Sequence, residues 1–162
     1  MSVPALVTEV HLLLRRLGRT VGVAESLTGG LLAGALTTPA GASQVVRGGL
    51  VVYATDLKAS LAGVPTDLLA ERGAVDPDVA LALAHGARAR LGADLGLGVT
   101  GVAGPSEQDG RAVGTVFVAA AGPEGETVAE RLLHGGRDDI RAASVEAALT
   151  LLLEQLRAAA GA

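Results

Sequence analysis

The chain has 162 residues, 49% of them hydrophobic, a net charge of −4 and no cysteine. It is therefore long enough for one buried core, and disulfides, zinc–thiolate sites and cysteine nucleophiles are excluded. Its thirteen cations form no basic run, which argues against direct binding of nucleic acid, a process driven by clustered cations that release counterions.

The apolar content is mostly Ala, Val and Leu, with one Phe, one Tyr, no Trp and 23 glycines. A core of this kind fills space by close backbone approach, which suits a sheet covered by helices. His11, Arg15 and Arg16 interrupt the N-terminal apolar periodicity, unlike a signal peptide. Glu146 and Glu154 break the apolar C-terminal stretch, which is too short to span a bilayer, so a cytoplasmic protein is expected. An aliphatic surface at this composition points to a homo-oligomer.

Leu6, Val10, Leu13, Leu14 and Leu17 recur at helical spacing and Gly18 stops the helix. Residues 20–24 (TVGVA) read as a short buried strand, followed by a turn of hydroxyls and glycines and a helix over 31–36. Residues 41–49 read as a loop leading to a strand over 50–53. Short helices are expected over 56–61 and 66–71. Asp76 and Pro77 form the N-cap and first position of a longer helix containing Val79, Leu83, Ala87 and Leu91, closed by Gly92. Residues 95–100 read as a strand entering a second glycine-containing loop. Strands over 113–121 and 127–133 flank Gly122-Pro123-Glu124-Gly125, a hairpin signal. The last helix begins near Asp138 and carries Val145, Leu149, Leu152 and Leu156 on one face. No linker or repeat divides the chain. The expected fold is a single-domain, three-layer α/β/α sandwich over residues 1–162 with a mixed, largely parallel sheet.

Three short stretches are candidates for chemistry. In Glu25-Ser26-Leu27-Thr28-Gly29-Gly30 a strand ends beside free backbone amides, which suit a phosphate or a developing oxyanion, although a capped turn with Thr28 as the cap explains the same pattern. The stretch has neither the Gly-x-Ser-x-Gly elbow nor the lysine of a P-loop. In Tyr53-Ala54-Thr55-Asp56-Leu57-Lys58 the only tyrosine precedes the only lysine. Twelve of thirteen cations are arginine, and guanidinium cannot act as a base whereas a buried amine can; an exposed helical lysine is the plainer alternative. Thr100-Gly101-Val102-Ala103-Gly104-Pro105 follows another strand, and two such loops converge at one sheet edge if their strands are parallel. Arg137 and Arg141 lie one turn apart, as a solvated face or an anion clamp. His11, His85 and His134 have no partner at ligand spacing, so no metal is expected.

Taken together, AESLTGG (24–30), the 49–58 stretch ending in VVYATDLK, GAV (73–75), VTGVAGP (99–105), VGTV (113–116) and the Arg137/Arg141 pair resemble the CinA C-terminal family, in order and over nearly the whole chain. The resemblance implies hydrolysis of nicotinamide mononucleotide to nicotinate mononucleotide and ammonia, by a stand-alone form of the domain, with no cofactor and with a pyridine mononucleotide as partner. It implies Ser26 as nucleophile, Lys58 as its activator and Tyr53 close by. Thr28, Gly29, Gly30, Thr100, Gly101, Ala103, Gly104 and Arg141 would contact the substrate. Either a covalent acyl-serine or a Lys58-assisted water attack fits. A catalytically silent nucleotide-binding protein linked to competence or DNA damage is the alternative. The chain departs from the family at Leu27, at Ala54-Thr55-Asp56, at Asp76 and in 106–112, the last being a loop able to shape the pocket mouth.

Overall fold

The computed structural model describes residues 1–161. The elements run in the order α1 (Val3–Leu17), β1 (Val21–Glu25), α2 (Leu31–Thr37), β2 (Val46–Val51), α3 (Thr55–Ser60), α4 (Thr66–Arg72), α5 (Pro77–Leu91), β3 (Leu95–Gly101), β4 (Thr115–Gly122), β5 (Gly125–Leu132) and α6 (Arg137–Ala159). The five strands form one sheet in the order β2-β1-β3-β4-β5. β1 pairs parallel with β2 and β3, while β4 runs antiparallel to β3 and to β5. Only β4 therefore points against the other strands, and the sheet is mixed and largely parallel, as expected.

Strand alternation sends two different sets of side chains to the two faces. Val21 and Val23 of β1, Leu95, Leu97 and Val99 of β3, and Val116 and Val118 of β4 pack with Leu14, Leu32, Leu36, Leu149 and Leu152 of α1, α2 and α6. The opposite face offers Ala24, Phe117, Ala119 and Ala121 to α5 and the short helices beside it. Here α5 lies at backbone contact with the sheet. A Cβ on Gly96 would fall 1.9 Å from the Ala84 carbonyl oxygen, and one on Gly98 would fall 2.1 Å from that of Ala80. These strand glycines let the helix approach more closely than any side chain permits.

Most elements start and stop where the pattern places them. α1 and α5 close at Gly18 and Gly92, both left-handed, and Asp76 accepts the Asp78 amide at the start of α5. β4 and β5 join through Pro123 and Glu124, with Gly122 paired to Gly125. α6 begins one residue early because the Asp139 carboxylate accepts the Gly136 amide at 2.8 Å.

Two expectations need correction. β2 occupies Val46–Val51, part of the stretch read as a loop, rather than 50–53. Gly48 and Gly49 pair with β1 despite their weak strand propensity, because Ala33 packs where a Cβ on Gly49 would sit, 2.9 Å away. The Val52 amide still bonds the Glu25 carbonyl of β1, but the strand ends there because the Val52 and Tyr53 carbonyls turn to Lys58 Nζ. The second correction concerns Thr28, which caps nothing. Glu25 does that work, its two carboxylate oxygens accepting the amides of Leu32 and Ala33 at 2.9 and 3.0 Å. No helix among the described residues is long and apolar enough to cross a membrane.

Candidate active site

β1 and β3 run parallel with Glu25 opposite Val99, so the loops that follow them leave the same edge of the sheet. Ser26 is the first residue past β1, and its amide is fixed to the Val99 carbonyl at 3.0 Å. α3 follows β2 closely and turns its Lys58 back toward this edge. The amine is buried, 1% exposed, and lies 2.9 Å from Ser26 Oγ, 2.9 Å from the Val52 carbonyl and 3.2 Å from that of Tyr53. A neutral amine has two N–H donors and one lone pair. The two carbonyls accept both donors, which leaves the lone pair facing the Ser26 hydroxyl.

Burial disfavours the charged amine and brings its pKa down to about 8, with the Asp109 carboxylate partly opposing that fall. An amine with this pKa is free in about one molecule in ten at pH 7, against fewer than one in a thousand for an ordinary lysine, and takes a proton readily. The surrounding backbone offers oxyanion donors. Glu25 holds the start of α2, so that helix end is occupied and does not serve as an anion site. The amides of Leu27, Ala103 and Gly104, all lining the cavity, donate no hydrogen bond among the described residues.

The cavity at this edge measures about 150 Å³ and is lined by Ser26, Leu27, Tyr53, Gly101, Val102, Ala103, Gly104, Ser106, Gln108 and Arg137. Of the residues singled out in the sequence, Ser26, Tyr53, Gly101, Ala103 and Gly104 come together on its wall, with Lys58 behind Ser26. Tyr53 is 61% exposed, and its hydroxyl accepts from Arg137 Nη2 at 3.2 Å. Only its carbonyl touches Lys58, so the side chain belongs to the mouth rather than to the proton path.

The others lie elsewhere. Thr28 is fully buried, with an unpartnered hydroxyl. Gly29 and Gly30 take positive φ angles of 56° and 101° and turn the chain into α2. Thr100 does not line the cavity, because its hydroxyl donates to the Ala74 carbonyl at 2.7 Å. Arg141 does not line it either, and instead braces the serine loop by donating Nε to the Leu27 carbonyl at 2.9 Å.

Five lining residues were not chosen as site residues from the sequence: Leu27, Val102, Ser106, Gln108 and Arg137. Arg137 Nη1 donates to the Gly104 carbonyl at 2.6 Å, which places a cation across the mouth. Its pairing with Arg141 was visible as a motif, but which of the two faces the cavity depends on the rotation of α6. Among the described residues no three His, Asp or Glu side chains cluster as a metal site.

Comparison with known proteins matches residues 4–156 to the model of the CinA C-terminal domain. A CinA-like protein of Frankia casuarinae is 51% identical over 137 residues, covering 85% of this chain and 32% of that protein. A CinA-like protein of Geobacter sulfurreducens is 48% identical over 150 residues, covering 92% and 36%. The chain thus spans about a third of the length of these curated relatives. Among solved structures, the competence/damage inducible protein CihA of Agrobacterium tumefaciens superposes with a TM-score of 0.90 at 40% identity, covering 94% of both chains. A CinA superfamily protein of Enterobacter cloacae gives 0.92 at 29%, covering 96% of this chain and 93% of that one.

Proposed function

The chain belongs to the CinA C-terminal domain family, and from that premise we propose that it hydrolyses the carboxamide of nicotinamide mononucleotide, releasing nicotinate mononucleotide and ammonia. The observation that carries the reading is the buried Lys58 amine 2.9 Å from Ser26 Oγ at the wall of a small polar cavity.

In the proposed reaction Ser26 Oγ attacks the carboxamide carbon while its proton passes to Lys58 Nζ. The carbonyl oxygen gains negative charge and is met by the unpaired amides at Leu27, Ala103 or Gly104. Lys58 then returns the proton to the nitrogen as the carbon–nitrogen bond breaks, and ammonia leaves. Water, deprotonated by the same amine, attacks the acyl-serine and frees the carboxylic acid and the Ser26 hydroxyl. Direct attack by water with Lys58 as base gives the same products, and a burst of ammonia ahead of steady turnover separates the covalent route from it.

A cavity of about 150 Å³ is smaller than the roughly 300–1,000 Å³ that enclose whole drug-sized ligands. It suits the reacting ring and amide, with the ribose phosphate running outward past Arg137, the cation at the mouth. The test is to incubate the purified chain and its Ser26→Ala variant with nicotinamide mononucleotide and measure ammonia. Release by the parent chain alone supports the reading. A parent chain that binds the nucleotide and frees no ammonia would make it a silent nucleotide-binding member instead.

A further inference from the structure

Residues 106–111 close one side of the cavity with Ser106 and Gln108, and two charged side chains fasten this loop to a segment distant in sequence. Asp109 sits at a φ of 50°, the only non-glycine residue at positive φ among the described residues. Its Oδ2 accepts the Ala74 amide at 3.0 Å. A Cβ on Gly73 would lie 2.8 Å from the Asp109 Cβ, so the bare backbone at 73 makes room for this contact. Arg111 completes the attachment. Its Nε donates to the Val75 carbonyl at 3.1 Å, its guanidinium lies 3.6 Å from Asp76, and it stacks 5.3 Å over the Phe117 ring. The Ala74 peptide is gripped from its other side by Thr100 of β3.

A simple turn requires none of this. Gln108 and Arg111 already bond backbone to backbone around Asp109 and Gly110, and glycine fits a left-handed position without strain. We propose that Asp109 is a positioning residue of this site, its carboxylate docking the cavity-lining loop onto residues 73–75. The inference rests on the reading of Lys58 as the base.

The other charged groups at this edge are committed to other partners or face solvent. Glu25 behind Ser26 holds the α2 amides. Arg137 of α6 bonds Gly104 and Tyr53, and Arg141 bonds Leu27. Asp76 pairs with Arg72 and Arg111, and Asp56 on α3 is exposed. Asp109 is the carboxylate whose charge acts on Lys58, favouring its protonated form. Docking of one loop thus sets both the cavity wall and the fraction of amine free to act.

Lys58 is the only lysine, so protein labelled with ¹³C-lysine gives one side-chain resonance whose midpoint is read directly by NMR. Asp109→Asn keeps an oxygen for the Ala74 amide and removes the charge. The Lys58 midpoint is expected to fall below the parent's, since the charge that favours the protonated amine is gone, and the acid limb of amide hydrolysis should move with it. Asp109→Gly, free of backbone strain, removes the tether as well and is expected to give the same fall together with faster hydrogen exchange at the Ala74 amide. A folded Asp109→Gly variant whose Ala74 amide exchanges as slowly as the parent's, or a midpoint equal to the parent's in either folded variant, overturns the proposal. The titration needs no substrate, so it gives its answer even if nicotinamide mononucleotide yields no ammonia.

Discussion

The loops that follow β1 and β3 look alike in composition and leave the sheet side by side, yet they are held in opposite ways. The first, residues 26–30, is fixed mainly through backbone groups and the adjoining Glu25, with Arg141 of α6 adding one brace at the Leu27 carbonyl. The Ser26 amide is bound to β3, the Gly29 amide to the Ser26 carbonyl, and the start of α2 to Glu25, the residue just before the serine. The second, residues 102–111, turns unpaired amides to the cavity and is held by the charged side chains of Asp109, Arg111 and Arg137. A reactive hydroxyl needs a fixed backbone, and the first loop provides it. A wall that must admit a ligand is better served by side chains that reach across from elsewhere. The comparison assigns bond-making to the first loop and substrate fit to the second.

The sharpest way to break that division is to remove either member of the reactive pair. Ser26→Ala and Lys58→Arg should each lower kcat by about a thousandfold or more, because the two act as a unit and guanidinium cannot take the proton. Steady-state ammonia release measures this, and an active Lys58→Arg enzyme would move the chemistry out of the first loop.

Glu25→Gln tests whether the adjoining carboxylate holds that loop. It loses one of two charge-assisted bonds to the α2 amides and should cost about 2 kcal/mol of stability in a urea titration. Arg137→Ala should loosen the second loop and the Tyr53 side chain while leaving the first loop in place. We expect KM for the nucleotide to rise about tenfold with kcat changed far less, whereas a fall in kcat without change in KM would place Arg137 in the chemistry.

A separate test concerns stability against pH. The folded Lys58 has a pKa of about 8, below its ordinary value of 10.5. Between those values the unfolded chain binds more protons than the native one, so stability rises with pH. Relative to Lys58→Met, the parent's Tm should climb by roughly ten degrees across that window, as read by calorimetry. Parallel Tm curves would mean that the amine titrates normally.

The same contrast explains how much of the molecule was legible in the sequence. Helix stops at Gly18 and Gly92, the Asp76 cap and the hairpin at residues 122–125 are local signals, and they place the elements well. Ser26 and the lone Lys58 stand out because one motif and one compositional rarity mark them. What escaped depends on long-range geometry. The carbonyls of Val52 and Tyr53 abandon the ladder for an amine six and five residues on, which ends β2 early. Thr28 and Thr100 look like ligand contacts in a one-dimensional pattern, yet one hydroxyl is buried and the other is spent on Ala74. Arg137 and Arg141 are equivalent until the rotation of α6 sends one to the mouth and the other to Leu27.

The central claim is that the buried amine of Lys58 is free often enough near neutrality to activate Ser26, and titration of the single lysine resonance in the parent chain tests it most directly. The account predicts a midpoint about 8. A midpoint at the ordinary value of 10.5 would contradict it, since almost every molecule would then hold its amine charged and unable to take the serine's proton.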